Sequence, residues 1–205
     1  MYMFDRASVR SFVLSLVASV VIPSISQAQL PSEVPVFEIT PISSTITFEV
    51  EASVAIKGTF DKWAATLTFM STDVTTGVLD IKIQADSVDT GSGMKNNKLK
   101  SKKFFDTKHN PLITFKSTKI VQTGADRFEA DGDFTIRRVT KPEKLTVAVS
   151  GHGTGSGAIK GTMAFDRKQY GMTSGIPFIK IADRVVVTVD LKAKRVGGPP
   201  VDVKQ

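Results

Sequence analysis

The stretch Leu79-Asp-Ile-Lys-Ile-Gln-Ala85 alternates apolar and polar side chains without a break. Successive side chains of a β-strand point to opposite faces of the sheet, so a period of two residues indicates a strand with one buried face. The odd-numbered residues of this stretch are all apolar and are expected to face the core, while Asp80, Lys82 and Gln84 face solvent. The pattern predicts an all-β fold if it recurs along the chain.

The same alternation recurs in seven further stretches, which Gly, Pro and Asn/Asp turns separate. They are Thr45–Val50, Trp63–Met70, Leu112–Ile120, Phe128–Ile136, Leu145–Val149, Ile159–Phe165 and Arg184–Leu191. Eight strands with short connections are typical of an antiparallel closed barrel or of a sandwich, and alternation alone leaves both open. A chain of 205 residues is expected to form one domain with a full core.

Residues 86–111 interrupt the alternation. The run from Met94 to Ser101 is rich in residues that helices tolerate, and Asn110-Pro111 is a stop signal. We therefore predict a short helical insertion around residues 93–105, between two strands. The apolar residues expected to pack the insertion onto the rest of the fold are Met94, Leu99, Phe104 and Phe105.

The N-terminus has the layout of a secretory signal peptide. Arg6 and Arg10 precede the apolar run 11–23, and Ser26-Gln-Ala28 is a small-x-small cleavage pattern. The run is short for a membrane span. We predict a signal peptide over 1–28 cleaved after Ala28, a barrel domain over 29–196, and a flexible tail over 197–205. The mature protein is expected to be periplasmic or secreted, and the absence of cysteine means that burial rather than disulfides must stabilise it.

The insertion is strongly basic. Its lysines are Lys95, Lys98, Lys100, Lys102, Lys103 and Lys108. Such a run, in a chain of formal charge +7, fits a nucleic-acid arm, a transient contact with an anionic membrane surface, or the solvated side of a lid. The predicted export argues against nucleic acid as a partner.

The sequence contains no pattern typical of a catalytic or metal site. The only histidines are His109 and His152, cysteine is absent, and the carboxylates are scattered singly. The glycine-rich loop at 151–157 joins two predicted strands, whereas a phosphate loop or a serine nucleophile elbow requires a following helix. We predict no catalytic residue, no metal and no cofactor. A hydrolase or isomerase acting on an apolar substrate is the alternative, and it requires a buried polar pair that the sequence does not indicate.

The chain has a large apolar capacity. It contains 13 phenylalanines, and all but Phe4 and Phe12 follow the predicted cleavage site. An eight-stranded barrel can be filled by its own side chains or can hold one small ligand. A barrel embedded in the outer membrane would need an outward apolar band, whereas the outward positions here include Lys82, Lys116 and Lys160.

Several phrases resemble, in order and spacing, the YceI-like family of exported lipocalin-like proteins, over about residues 37–194. The phrases are Ile46-Thr-Phe-Glu-Val50, Gly58-Thr-Phe-Asp61, Ser87-Val-Asp-Thr-Gly91, Leu99-Lys-Ser-Lys-Lys-Phe-Phe-Asp106, Pro111-Leu-Ile-Thr-Phe-Lys-Ser-Thr118, Gly132-Asp-Phe-Thr-Ile136 with Val139-Thr-Lys-Pro142, and Asp166-Arg-Lys-Gln-Tyr-Gly171. Each phrase is weak alone, and their order makes the resemblance specific.

The resemblance implies an eight-stranded antiparallel lipocalin-like barrel whose elongated apolar interior holds a long amphiphile. The expected ligand is a polyisoprenoid or an isoprenoid quinone, and no catalytic residue is implied. The residues expected to line or gate the interior are Phe60, Trp63, Leu99, Phe104, Phe105, Phe115, Phe165, Arg167, Tyr170 and Met172. Arg167 is expected either to bind a headgroup or to pin a strand by hydrogen bonds.

The sequence departs from the family where the family often carries histidine or arginine. Ser43 and Ala52 stand near the first strand, and Lys98 and Lys100 flank Leu99. If the histidines of the family contact a headgroup, this chain is expected to prefer a different headgroup or none. The oligomeric state stays open, with a homodimer among the alternatives.

Overall fold

The computed structural model describes residues 32–53, 55–151, 154–175 and 180–204. The predicted signal peptide and its cleavage after Ala28 lie outside these residues and stay predictions. Within the described ranges, no helix is both long enough and apolar enough to cross a membrane.

The described residues form ten strands and one α-helix. In chain order the elements are β1 (Val36–Ala52), β2 (Ile56–Phe60), β3 (Trp63–Thr68), β4 (Val78–Gln84), β5 (Val88–Asp89), α1 (Gly93–Lys100), β6 (Leu112–Gly124), β7 (Arg127–Ile136), β8 (Val139–Ser150), β9 (Ser156–Asp166) and β10 (Ile181–Gly197). The helix α1 confirms the predicted insertion, and its loop continues to residue 111.

Eight of the strands close into an antiparallel barrel. Hydrogen-bonded neighbours follow the order β10, β9, β8, β7, β6, β4, β3, β1, and β1 also pairs with β10. This closing ladder is long, because it runs from Val36 opposite Gly197 to Ala52 opposite Ile181. A sheet whose first and last strands pair is a barrel and not a sandwich. The predicted fold class is therefore confirmed.

The sequence pattern missed two strands, β2 and β5. β2 precedes β3 and is separated from it by Asp61 and Lys62. β2 pairs with the second half of β1, whereas β3 pairs with β1 only at Thr68, opposite Val36. β5 is a two-residue strand that pairs with β2. Both strands are short, and β2 contains Gly58, so their alternation is too brief to be distinguished from a loop.

β1 begins well before the predicted start at Thr45. Its register against β10 shifts between Thr40 and Thr45, where Ser43 has a φ of 60°. The hydroxyl of Ser44 stabilises this irregularity by donating to the Thr40 carbonyl oxygen (2.6 Å) and accepting from the Lys192 N–H (2.8 Å). A bulge breaks the period of two, so alternation does not reveal the first half of the strand.

The inward-facing residues form one apolar cluster inside the barrel. In β4, Leu79, Ile81 and Ile83 are buried, while Lys82 and Gln84 are exposed, as the alternation predicts. Thirty of the described apolar residues belong to the cluster, and they come from every strand of the barrel except β3, whose Trp63 packs against it half-buried.

Two differently covered ends define the barrel. The insertion end carries α1 with its loop, the β7–β8 turn and residues 167–175. The tail end carries the β3–β4 and β6–β7 connections and residues 198–204, which follow β10. The glycines and prolines at 197–200 predict a flexible tail over 197–205. In the structure, Asp202 in this segment forms a parallel bridge with Asp73.

Gly132 in β7 allows β6 to approach closely. A Cβ added at Gly132 would lie 2.6 Å from the Lys116 carbonyl oxygen and 2.9 Å from the Ser117 Cα, and backbone atoms cannot rotate away. We expect Gly132→Ala to lower the free energy of unfolding by about 1 to 3 kcal/mol, measured by urea denaturation. The matched control is Gly93→Ala in α1, where no atom lies within 4 Å of the added Cβ. Equal denaturation midpoints for the two variants would contradict the steric argument.

Candidate ligand-binding site

A small apolar cavity of about 60 Å³ lies beneath the insertion; we call it the insertion-end cavity. Among the described residues, its lining is apolar except for one arginine. The lining residues are Phe48, Val50, Ile56, Phe60, Ile83, Leu99, Phe104, Phe105, Ile113, Phe134, Ile136, Phe165, Arg167, Met172, Ile181, Val185 and Val187. The position of this cavity agrees with the role predicted for the insertion as a cover.

The insertion is held down by aromatic packing. The ring of Phe105 lies 5.9 Å from that of Phe60 and 6.3 Å from that of Phe48, measured between centroids. Phe104 and Leu99 are also buried, and the Phe105 N–H donates to the Leu99 carbonyl oxygen (2.9 Å). Three apolar anchors therefore fix the insertion over the cavity. Met94 was expected among them, but the structure leaves it 85% exposed on the outer side of α1, so that prediction is wrong.

Polar contacts fix the two ends of the insertion. At the start of the insertion, Asn96 in α1 accepts from the Thr90 N–H (2.8 Å) and donates to Asp89 (3.0 Å). These contacts hold the pKa of the Asp89 carboxyl below its usual range, with the hydrogen bond from Asn96 as the main cause. After α1, the Asp106 carboxylate bonds to the His109 ring at 2.9 Å, and this bond lowers the pKa of Asp106. His109 thus has the role of a turn residue.

Two adjacent arginines in the β7–β8 turn clamp the insertion end. Arg137 and Arg138 have φ angles of 55° and 61°, the left-handed conformation of both central residues in a type I′ hairpin turn. Arg137 donates to the Gly171 carbonyl oxygen (2.7 Å), and Arg138 donates to that of His109 (2.8 Å). The turn therefore holds both the insertion loop and residues 167–175. Sequence reasoning missed this role because such turns normally signal themselves by Asn-Gly.

Arg167 is buried and is engaged by the protein itself. Its guanidinium donates to the carbonyl oxygens of Ala182 (3.0 Å), Ser174 (3.0 Å) and Met172, and to the Asp183 carboxylate (3.1 Å). These bonds tie the segment 172–174 to the start of β10. Of the two roles left open by the sequence, the hydrogen bonds fit the structural pin.

Tyr170 lies behind the cavity wall. Its side chain is fully buried, and its ring stacks edge-on against Phe134 (5.4 Å) and Phe165 (5.2 Å). Its hydroxyl donates to the Glu143 carboxylate (2.8 Å). Burial, followed by this hydrogen bond, raises the pKa of the Tyr170 phenol.

Tyr170 gives a prediction about alkaline pH. A chain that begins at Gln29 retains only this tyrosine. The raised pKa means that the folded state keeps a proton which the unfolded state releases above about pH 10, so stability is lost as pH rises through the folded pKa. We expect the ultraviolet phenolate band to appear only above pH 10, together with unfolding. Phenolate formation at the ordinary pKa in a folded chain would contradict this, and Tyr170→Phe should remove the band.

The structure brings together most of the predicted site residues. Those that line the insertion-end cavity are Phe60, Leu99, Phe104, Phe105, Phe165, Arg167 and Met172. Phe115 is buried within the core, and Trp63 packs half-buried against it at the start of β3. Whether any of these residues contacts a ligand stays a prediction. The positions where the family often has histidine or arginine do not line this cavity; they are Ser43, Ala52, Lys98 and Lys100.

A second and larger apolar cavity, of about 150 Å³, lies at the tail end; we call it the tail-end cavity. Its lining includes Phe37, Leu67, Phe69, Ile120 and Phe128. Sequence reasoning did not single it out, although Leu67 and Phe69 lie on one face of a predicted strand. Inward alternation cannot show where facing side chains leave a gap.

Within the described ranges, no group of three or more His, Cys, Asp or Glu side chains is placed to hold a metal ion. In the same residues, every buried side-chain nitrogen or oxygen has a hydrogen-bond partner. His152 lies outside the described residues. Both cavities are mainly apolar, and the buried polar side chains of the described residues are hydrogen-bonded within the protein.

Comparison with known proteins agrees with this architecture. The chain is similar to Protein YceI of Escherichia coli O157:H7, with 33% identity over 96 residues, which is 47% of this chain and 50% of the relative. A UPF0312 protein of Pectobacterium carotovorum is 30% identical with the same coverage. The chain thus spans about half the length of the curated relatives it matches.

Solved structures share the fold. BcnA of Burkholderia cenocepacia superposes with a TM-score of 0.69 at 23% identity, covering 76% of this chain and 99% of BcnA. A polyisoprenoid binding domain from Saccharophagus degradans gives 0.62 at 15% identity, covering 78% and 99%. The model of the YceI-like domain matches residues 37–193, which is more than half of the chain. The chain therefore belongs to the YceI-like domain family.

Proposed function

We propose that this protein is an exported, periplasmic binding protein that holds one long-chain amphiphile, such as a polyisoprenoid or an isoprenoid quinone, for transport, storage or sequestration. The observation that carries the proposal is the pair of apolar cavities at the two ends of one closed barrel. A long apolar chain is the ligand shape that can reach both. The similarity in fold to a polyisoprenoid binding domain supports the same ligand class.

The ligand must enlarge the interior that it enters. The cavities of about 150 and 60 Å³ are smaller than the roughly 300 to 1,000 Å³ of ordinary ligand sites. Met172 lines the insertion-end cavity, and methionine adapts readily because its side chain is flexible. Phe105 and Phe60 line the same cavity, and a shift of their rings would widen it. We therefore expect binding to proceed with movement of the insertion.

The polar groups favour binding over catalysis. In the part of the chain that the structure describes, Arg167 is the one charged residue that lines the insertion-end cavity, and its guanidinium already bonds to four protein groups. A hydrolase or isomerase would need a free acid or base facing the substrate. Turnover of a lipid ester that depends on a single carboxylate would support the enzyme alternative instead.

The insertion end is suited to an anionic membrane surface. Lys95, Lys102 and Lys103 are exposed there, beside the exposed thioether of Met94. Basic side chains near an apolar one are the combination that attracts anionic headgroups and inserts shallowly. We propose that this end contacts the membrane transiently when the amphiphile enters or leaves.

Organic extraction of the purified protein tests the ligand class. We expect mass spectrometry of the extract to show an isoprenoid lipid in stoichiometric amount. If the protein is purified empty, added geranylgeraniol should change the fluorescence of Trp63, the single tryptophan, which packs against the core. An empty extract together with no response to added isoprenoid would refute the proposal.

Vesicle flotation tests the membrane contact. The triple variant Lys95→Glu, Lys102→Glu, Lys103→Glu should lose binding to vesicles that contain phosphatidylglycerol. The control is Lys116→Glu, Lys119→Glu, Lys194→Glu, which makes the same charge change at exposed positions of the barrel wall. Equal flotation of both variants would show that the insertion end is not the contact surface.

A further inference from the structure

The chain turns back sharply after β10. Gly198 has a φ of 71°, and a Cβ at this position would lie 1.9 Å from the Val34 carbonyl oxygen, so no other residue fits. Residues 198–204 then run across the tail end; we call them the strap. The closing ladder between β1 and β10 is already complete at Val36 and Gly197, so the strap is not needed to close the barrel.

The strap is held by polar contacts near the surface and by Val203, which packs half-buried against the core. Asp202 donates through its N–H to the Thr72 carbonyl oxygen (2.7 Å) and accepts from the Thr72 hydroxyl (2.5 Å). The Gln122 amide donates to the Lys204 carbonyl oxygen (2.6 Å) and accepts from its N–H (3.0 Å). Hydrogen bonds exposed to water open locally at far lower cost than the core unfolds.

The strap covers a cavity without filling it. Pro200, Val201 and Val203 form its outer wall, and Phe37 and Phe69 are among the residues that face them from the barrel. The volume of about 150 Å³ remains open beneath. The strap also lies outside residues 37–193, the part that the family shares. It lies at the end of the barrel opposite α1.

We propose that the strap is a gate for the tail end of the barrel. When Asp202 and Lys204 are engaged, as in this structure, Pro200, Val201 and Val203 cover part of the mouth of the tail-end cavity and narrow the access to it. When they detach, the cavity opens as a second mouth, through which the apolar chain of an amphiphile enters or extends. This gate rests on the proposed binding function and regulates exchange at that same site.

An engineered disulfide can lock the strap. The chain has no cysteine of its own, so two introduced thiols can form an intramolecular disulfide only with each other. Asp73 and Asp202 are direct partners in the parallel bridge, so Asp73→Cys with Asp202→Cys places two thiols side by side. The probe is N-phenyl-1-naphthylamine, whose fluorescence rises in apolar surroundings. We expect its association and dissociation to be at least about tenfold slower in the oxidised than in the reduced variant, because the locked strap cannot open. A tenfold change in rate corresponds to about 1.4 kcal/mol of activation free energy.

A second variant releases the strap instead of locking it. Thr72→Val with Gln122→Leu removes the side-chain partners of Asp202 and Lys204 and leaves the apolar lining unchanged, so probe exchange should be faster than in the wild type. Identical rates in the oxidised, reduced and released forms, with normal probe affinity, would overturn the gate and leave the proposed function intact. Failure of every form to bind the probe would refute the proposed function and the gate with it.

Discussion

Phe105→Ala is expected to lower the free energy of unfolding by about 3 to 5 kcal/mol. Phe105 is buried, and its ring packs against both Phe48 and Phe60. Its truncation removes this aromatic contact and enlarges the insertion-end cavity. Few other apolar side chains fix the insertion, so part of the loss should be local. Urea denaturation measures the total loss, and amide hydrogen exchange in residues 94–109 measures the local part.

The control for this experiment comes from the same insertion. Met94→Ala removes a side chain of similar size that is 85% exposed, so its effect should stay within about 0.5 kcal/mol. If both variants unfold at the same urea concentration, the insertion is not held by Phe105. If Phe105→Ala loses global stability while amide protection of the insertion is retained, the ring supports the barrel and not the cover.

The fold was predictable because its barrel strands are buried on one face. Alternation from Leu79 to Ala85 is a direct consequence of that burial, and glycine marks several of the turns, including those after β6 and β8, although the Arg137-Arg138 turn has no such mark. The features that the sequence pattern did not predict are a bulge, a very short strand and contacts between residues far apart in the chain. The bulge before Thr45 shifts the period in β1, and β2 is too short to show one. The strap is fixed by contacts to Thr72 and Gln122, more than 80 residues away, and its composition predicts only a loop.

The site was predictable in part, for a similar reason. Alternation and the insertion point to inward aromatic residues, and they correctly place Phe60 and Phe105 around a cavity. The same patterns cannot distinguish a residue that lines a cavity from one that is packed within the core. Phe115 and Tyr170 are of the second kind. That difference depends on rotamers and facing side chains, which the one-dimensional pattern does not contain. The resemblance to a family supplied the ligand class and not the geometry.

Arg167→Met is expected to lower the free energy of unfolding by about 3 to 5 kcal/mol. The substitution keeps most of the volume but leaves the carbonyl oxygens of Met172, Ser174 and Ala182 without their charged donor, and such bonds contribute about 1.5 to 3 kcal/mol each without being additive. Asp183 keeps Lys168 as a partner at 2.7 Å, so the loss comes from the carbonyl oxygens rather than from an unpaired carboxylate. Urea denaturation measures the change.

Two further variants separate the structural role of Arg167 from a headgroup role. Arg167→Lys keeps the charge but not the fork of donors, so it should lose a large part of the same stability. Asp183→Asn should cost far less, because the Asp183 side chain is 41% exposed. If Arg167 instead bound a headgroup, the results would differ. Arg167→Met would unfold at the wild-type urea concentration but lose affinity for an anionic amphiphile, while Arg167→Lys would retain both the stability and the affinity. Because the carbonyl oxygens of residues 172–174 depend on this guanidinium, we expect the stability loss, with weakened binding as its consequence.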